Sequence, residues 1–337
     1  MDYTSCQGSR PTTCCGLTFF NPQLTTNLKL SVFEVLNSQL FFAAILILDT
    51  HYLILNKLFC IPMNHLTSIP HFDVPEGKKV YFISDIHLGT PDANSSRVRE
   101  SLLVEWLTEI STDAAALFIV GDLFDFWFEY RKAVPKGYVR VLGKLAELRD
   151  KELPIYFFTG NHDQWMWDYM QEELGIPVFK KQQQTVINGK KFYIGHGDGL
   201  GPGDHGYKFI KKIFTNPFFQ WCYRIIHPDI GISIAEFWSR RSRYSNGHVL
   251  ERYLGDNDEW LLQYCKGVLE KEYFDYFIFG HRHLPLDITY PSGSRYLNLG
   301  DWLNYYTYAV FDGQNTEILS YRDTDPGLDV VVRQLNG

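Results

Sequence analysis

Cysteine is scarce in this chain, and most of it lies at one end. Only six cysteines occur in 337 residues, and four of them fall within the first 62. The remaining two, Cys222 and Cys265, form neither a Cys-x-x-Cys pair nor a spacing typical of a disulfide framework. This scarcity argues against a disulfide-stapled secreted scaffold, and a reducing cytoplasm is the expected compartment.

Long apolar runs and an excess of positive charge are also missing. A helix that spans a membrane needs about 20 apolar residues with few charges. Here the apolar run Leu40–Leu48 is interrupted by Asp49 and His51. The net charge is −7, whereas proteins that coat nucleic acid are usually basic. These features argue against a multi-span membrane protein, and no nucleic-acid partner is expected.

The first 62 residues differ in composition from the rest of the chain. They hold only six charged residues, and they lack the basic region and cleavage site of a signal peptide. Two interpretations are open: a membrane anchor, or an extension that is disordered or absent from a mature protein starting at Met63. We favour the second, because regular α/β patterning begins only near Lys78.

Beyond residue 78, apolar runs alternate with segments of helical spacing. The strand-like runs are Val80–Ser84, Ala116–Val120, Ile155–Thr159, Phe192–Gly195, Tyr276–Phe279 and Tyr296–Leu299. Helical spacing occurs in the series Val98, Leu102, Trp106, Ile110 and in the series Tyr138, Leu142, Leu145, Leu148. The alternation predicts an α/β domain whose sheet is buried between helices.

Five of these strands end in a polar cluster. The clusters are Asp85-Ile86-His87, Gly121-Asp122, Gly160-Asn161-His162-Asp163, Gly195-His196-Gly197-Asp198 and Gly280-His281-Arg282-His283. Ligands of open α/β sheets collect at the carboxyl ends of strands. We therefore expect the five clusters to converge on one site.

The side chains in these clusters suit divalent metals. Carboxylate and amide oxygens bind hard ions, and Mn²⁺ and Fe²⁺ also accept imidazole. The set is large enough for two ions with one shared carboxylate: Asp85, His87, Asp122, Asn161, His196, His281 and His283. Two neighbouring ions clamp the oxygens of a phosphoryl displacement and lower the pKa of water. The sequence therefore predicts a two-metal hydrolase.

The order of the five clusters, from about Val80 to Trp302, resembles that of the calcineurin-like metallophosphoesterases. This resemblance implies a β-sandwich flanked by helices. The finer motifs Asp85-Ile86-His87-Leu88-Gly89 and His196-Gly197-Asp198-Gly199-Leu200 are similar to those of the UDP-2,3-diacylglucosamine diphosphatases of lipid A synthesis. So is the tract Gly121-Asp122-Leu123-Phe124-Asp125-Phe126-Trp127. The implied reaction, usually with manganese, releases UMP and 2,3-diacylglucosamine 1-phosphate.

The resemblance also implies a role for individual residues. One metal ion would be held by Asp85, His87, Asp122 and His283, and the other by Asp122, Asn161, His196 and His281, so that Asp122 bridges. Residues expected to contact the substrate are Asn161, His162, Asp204, Tyr207, Lys208 and Lys211. The implied location is the cytoplasmic face of the inner membrane, with peripheral attachment.

His162 departs from the better-known diphosphatases, which carry Arg after the metal-binding Asn. Three roles are open for it: protonating the leaving oxygen, stabilising charge in the transition state, or only supporting a metal ligand. Asp163 is expected to orient His162 rather than to bind metal.

Residues 199–275 are predicted to form a helical cap on a core made of residues 63–198 and 276–337. Between 205 and 252 the cap holds eight Lys and Arg residues against three acidic ones, interleaved with Phe and Trp. It either packs as ordinary helices with solvated faces or forms an apolar chamber for acyl chains with a basic rim.

Two rival functions remain open from the sequence. One is a phosphoesterase for soluble nucleotide or phosphoprotein substrates. The other is a non-catalytic scaffold on the same fold, which would be expected to lack metal ligands; this chain lacks none of them.

Overall fold

The computed structural model describes residues 66–202, 205–235, 237, 252–322 and 330–335, and the extension predicted over residues 1–62 lies outside them. The strands of the first half are β1 (Lys79–Ile83), β2 (Ala114–Val120), β3 (Ile155–Phe158), β4 (Val178–Phe179), β5 (Gln183–Ile187) and β6 (Lys190–Ile194). The later strands are β7 (Tyr276–Phe279), β8 (Pro285–Thr289), β9 (Arg295–Leu299), β10 (Thr307–Phe311), β11 (Thr316–Ser320) and β12 (Val331–Gln334). The helices are α1 (Ala93–Ile110), α2 (Val139–Asp150), α3 (Tyr169–Leu174), α4 (His205–Phe214), α5 (Pro217–Ile225) and α6 (Trp260–Leu269). Residues 228–235 are also helical.

Within the described residues, the strands form two sheets of six. The first sheet has the order β11-β10-β1-β2-β3-β4, and the second has the order β12-β8-β9-β7-β6-β5. Strands β1, β2 and β3 are parallel to one another, and so are β6, β7 and β9. Parallel strands end at the same edge of a sheet, so the segments that follow them are brought together.

The two sheets pack face to face through apolar side chains. Val80, Phe82 and Phe118 of the first sheet share a core with Phe192 and Ile278 of the second, and all five are fully buried. The Phe82 and Phe192 rings stack across the interface with centroids 5.9 Å apart. Burying such a side chain contributes about 1.5–3 kcal/mol relative to leaving it exposed. The β-sandwich implied by the sequence is confirmed.

Helices cover the outer face of each sheet. α1 is capped at its N-terminus by Asp92, whose carboxylate accepts from the backbone N–H groups of Asn94 and Ser95 at 2.8 and 3.0 Å. Its apolar stripe packs on the first sheet, where Trp106 meets Tyr81 edge-on with ring centroids 6.0 Å apart. α2 and α3 share this layer.

The helix α6 covers the second sheet. Leu261, Leu262 and Cys265 are buried against Phe277 and Phe279 of β7. α6 lies inside the range 199–275 that the sequence analysis assigns to the cap, yet it packs with the sandwich. The division of the chain at residues 199 and 275 stays a prediction.

We use the term cap helices for α4, α5 and residues 228–235. These helices leave large aromatic side chains in water: Phe209 is 65% exposed, Phe218 63% and Trp221 60%. None of the residues in α5 is buried. No helix within the described ranges combines the length and apolar character needed to cross a bilayer.

Candidate metal centre

The predicted metal ligands follow the carboxyl ends of β1, β2, β3, β6 and β7, as the sequence implied. Five of them adopt a left-handed backbone conformation, with φ between 48° and 68°: Asp85, His87, Asp122, His281 and His283. Such a conformation costs a non-glycine residue about 1–3 kcal/mol and tends to persist where function requires it. Here it turns the chain sharply at each strand end.

Two glycines in the motifs are required by close approach. A Cβ atom on Gly160 would collide with the Asp122 carboxylate, and one on Gly280 would collide with Ser84 and Asp85. Because these positions are glycine, the loop after β3 can approach Asp122, and the loop after β7 can approach Asp85.

Asp85, His87 and His283 form the first cluster. The Nε2 atom of His283 lies 3.3 Å from Asp85 Oδ1 and 3.2 Å from His87 Nε2. The Nε2 atom of His87 is 3.7 Å from Asp85 Oδ1. Three donor atoms thus face a common point.

Asp122, His196, His281 and Asn161 form the second cluster. The Nε2 atom of His196 lies 3.2 Å from Asp122 Oδ2 and 3.2 Å from Asn161 Oδ1. Ligand atoms of Asp122, His196 and His281 all fall within 4.8 Å of one another. Asp122 Oδ2 also lies 3.8 Å from His87 Nε2 of the first cluster, so Asp122 stands between the two sets.

The donor atoms fit divalent metal ions. Asp85 Oδ1 and Asp122 Oδ2 are buried and have no hydrogen-bond partner among the described residues. A buried carboxylate oxygen without a partner is costly unless a cation compensates it. Carboxylate, amide and imidazole donors together are the set that suits Mn²⁺, Fe²⁺ or Zn²⁺.

Burial and neighbouring charges shift the pKa values of the carboxylates and imidazoles in the two clusters. Burial opposes the ionised form of Asp85, but His283 and His87 outweigh it and lower its pKa to about 2. Burial likewise opposes the charged imidazoles, yet neighbouring carboxylates raise the pKa of His87 to about 9 and that of His196 to about 10. For His281, burial and the nearby His196 lower the pKa to about 4. Metal binding therefore has to displace protons from His87 and His196.

Hydrogen bonds set which imidazole nitrogen faces the centre. His196 Nδ1 donates to the carbonyl of Val120 at 2.9 Å, which leaves Nε2 for a metal. His283 Nδ1 lies 3.3 Å from the carboxylate of Asp301, which follows β9. The sequence analysis missed Asp301, although its position after an apolar strand is the same signal that identifies Asp85.

His162 lies at the edge of the two clusters. Its backbone N–H donates to Asp122 Oδ1 at 2.9 Å, and its Nδ1 donates to the carbonyl of Asp125 at 2.9 Å. The Asp125 carboxylate lies 3.6 Å from Nδ1 of both His162 and His87. Burial lowers the pKa of His162, and the carboxylates of Asp122 and Asp125 act in the opposite direction.

The orienting role expected of Asp163 is wrong. Its carboxylate accepts from the backbone N–H groups of Gly160 at 2.7 Å and Leu123 at 2.9 Å. These bonds tie the loops after β2 and β3 to each other. The contact with the His162 ring comes from Asp125 instead, because the reversal at Gly160 turns Asp163 inward under the ligand loops.

Comparison with known proteins agrees with this geometry. Residues 78–285 match the family model of the calcineurin-like phosphoesterases. The chain belongs to this family. It is 38% identical, over 73% of its length and 99% of the relative, to a UDP-2,3-diacylglucosamine hydrolase of Porphyromonas gingivalis. A protein of the same name from Actinobacillus succinogenes is 26% identical over 66% of this chain and 92% of its own length.

The remaining substrate residues expected for this phosphoesterase lie in or beside α4. Asp204 and the side chain of Tyr207 are outside the described residues. Lys208 donates to the carbonyl of Gly201 at 2.6 Å, and Lys211 donates to the Asp198 carbonyl at 2.9 Å and to its carboxylate. Both lysines thus fasten α4 to the loop that follows β6. Their contact with substrate stays a prediction.

Arg282, between the predicted metal ligands His281 and His283, is a second residue that the sequence analysis did not single out. Its guanidinium donates from Nε and Nη2 to the carboxylate of Glu259, each at 3.0 Å. It also reaches the carbonyl of Arg252 at 2.9 Å. This pair is buried, and it holds the segment that precedes α6 against the loop of His281 and His283. Arg282 and Glu259 are 23 residues apart in the sequence, so no local motif indicates that they pair.

Proposed function

We propose that this phosphoesterase hydrolyses the pyrophosphate of UDP-2,3-diacylglucosamine to UMP and 2,3-diacylglucosamine 1-phosphate. The observation that carries the chemistry is the position of Asp122 between two buried ligand clusters. The substrate is supported by the names of the relatives, of which the chain covers 92–99%.

Each metal ion would have its own set of donors. Asp85, His87 and His283 would hold one ion, Asn161, His196 and His281 would hold the other, and Asp122 would serve both. Such ions act as Lewis acids on phosphoryl oxygens and make hydroxide available near neutral pH. The donor set is compatible with Mn²⁺, and the family resemblance makes Mn²⁺ the expected resident ion.

His162 would act on the charge that develops at the phosphoryl group. Its side chain is 23% exposed, so one edge of the ring is accessible, while Nδ1 is engaged with Asp125. The Nε2 atom is therefore the atom available to a phosphate oxygen or to the leaving oxygen. General acid–base help of this kind is typically worth about 10²–10⁴-fold in rate.

The cap helices would accept the two acyl chains. Phe209, Phe218 and Trp221 are more than half exposed, and such surface is costly in water unless a ligand or membrane covers it. Each buried methylene contributes about 0.8 kcal/mol. Lys212, on α4, would face anionic headgroups at the inner face of the inner membrane.

A direct comparison of substrates tests this function. The full chain, loaded with Mn²⁺, is assayed on UDP-2,3-diacylglucosamine and on soluble UDP-N-acetylglucosamine, each with and without chelator. We expect chelator-sensitive turnover of the lipid-linked substrate, with UMP as product and much slower turnover of the soluble one. Equal turnover of both would favour a phosphoesterase for soluble nucleotides, and no turnover of either would favour a scaffold.

A further inference from the structure

The loops that carry the metal ligands of β2 and β3 continue beyond the metal centre side by side. The N–H of Trp127 donates to the carbonyl of His162, and that of Glu129 donates to the carbonyl of Trp165, both at 3.3 Å. Phe128 and Trp165 form a parallel bridge. The two loops therefore form one short hydrogen-bonded ladder, with predicted metal ligands at one end.

The other end of this ladder is an aromatic platform made of Phe128, Tyr130 and Trp165. All three residues are buried, and the cap helices lie on them through Tyr223 and Ile232. The Tyr223 ring sits 4.6 Å from that of Phe128 and 4.9 Å from that of Trp165. The cap helices thus rest on the same loops that hold Asp122 and Asn161.

Trp165 makes the polar contact of this platform with α4. Its indole N–H donates to the carbonyl of Phe214 at 2.7 Å, and its ring meets the Phe214 ring edge-on at 5.5 Å. Phe214 is the last residue of α4, where backbone carbonyls lack a partner within the helix. Gln220 also donates to this carbonyl at 2.9 Å, so the helix end keeps one donor if the indole is removed.

We infer that Trp165 is a positioning residue, which fixes the cap helices relative to the metal centre and so sets the register of a lipid-linked substrate. The inference rests on the proposed function, because the acyl chains are what the cap would align. Trp165 contacts none of the predicted ligands through its side chain. It acts through its contact with the cap helices.

The test uses Trp165→Phe, which keeps an aromatic ring but removes the N–H together with part of the packing of the indole. We expect the KM for UDP-2,3-diacylglucosamine to rise about 3–10-fold, the range of one ordinary hydrogen bond, with kcat close to wild type. Turnover of bis-p-nitrophenyl phosphate, which has no acyl chain, should not change.

Tyr290→Phe is the matched control. Tyr290 is also buried, and its hydroxyl donates at 2.7 Å to the carbonyl of Leu262 in α6, away from the cap helices. The control loses an equivalent bond and should keep the wild-type KM. Equal KM increases in both variants, or equal losses on both substrates, would overturn the inference. If Trp165→Phe does not fold, Ile232→Ala loosens the same contact from the cap side.

Hydrogen exchange separates this inference from the proposed function. Amides of residues 205–225 should exchange faster in Trp165→Phe than in wild type or Tyr290→Phe. Unchanged exchange would overturn the positioning role whatever the substrate. Suppose instead that the wild type does not hydrolyse UDP-2,3-diacylglucosamine, while amide exchange is still faster in Trp165→Phe. That result would contradict the proposed function and support the positioning role.

Discussion

The buried ion pair of Arg282 and Glu259 gives the sharpest prediction about stability. The Arg282 side chain is 7% exposed and that of Glu259 is 0% exposed, and two hydrogen bonds of 3.0 Å join them. Glu259 also accepts from the N–H of Leu254 at 3.0 Å. Glu259→Gln keeps the shape of the side chain and removes its charge, so the buried guanidinium of Arg282 loses the carboxylate that it contacts through two hydrogen bonds.

The magnitude follows from the burial. Removing one partner of a buried pair typically costs about 3–5 kcal/mol, because the remaining charge stays desolvated. For a domain of this size about 1 kcal/mol corresponds to roughly 2–4 °C in Tm. Glu259→Gln should therefore lower Tm by roughly 6–20 °C. Thermal unfolding followed by circular dichroism in the presence of chelator measures this without a contribution from metal binding.

Two further variants complete the test. Glu147→Gln is the matched control, because the Glu147 side chain is 45% exposed and its ion pairs with Lys144 and Lys151 should contribute little to Tm. Replacing both buried partners together, as Arg282→Met with Glu259→Leu, should recover much of the loss, since no charge remains buried. A Tm for Glu259→Gln equal to that of Glu147→Gln would refute the reasoning.

Three predictions concern function. His162→Ala should lower kcat by about 10²–10⁴-fold while both metal ions stay bound, as measured by steady-state kinetics with elemental analysis. His162→Arg should be close to wild type if the role is charge stabilisation, and as poor as His162→Ala if it is proton donation, because Arg stays protonated; metal loss in either variant would contradict a role outside the metal shell. Phe209→Ser with Trp221→Ser should impair hydrolysis of the lipid-linked substrate and spare a small phosphodiester, since both side chains are exposed; equal loss on both substrates would contradict the acyl chamber. Binding to anionic liposomes, measured by co-sedimentation, should weaken as salt rises, because exposed Lys and Arg charges are screened over roughly 8 Å at physiological ionic strength; salt-independent binding would contradict a basic rim.

The sandwich and its ligand loops could be predicted because they follow from short-range patterns. The buried parallel strands read as continuous apolar runs, and β1, β2, β3, β6, β7 and β9 lie within two residues of the predicted bounds. Several of the missed strands lie at sheet edges or carry polar residues, as in the run Thr316–Ser320 of β11. Half-exposed strands of that kind carry a weaker apolar signal.

Supporting contacts could not be predicted, because they join residues far apart in the chain. Asp301 reaches His283 across 18 residues, and Trp165 reaches Phe214 across 49. Asp163 shows the opposite failure. Its neighbour in sequence is His162, but the turn after β3 directs its carboxylate to the backbone of Gly160 and Leu123.

The most direct test of the two-metal centre is the metal content of Asp122→Ala beside that of the wild type. The full chain is loaded with Mn²⁺, freed of excess ion and analysed for manganese per chain, with circular dichroism as the check on folding. The account predicts two ions in the wild type, fewer than two in the variant, and no turnover of UDP-2,3-diacylglucosamine by the variant. A folded variant that retains two tightly bound ions would show that another residue bridges them and would contradict the account.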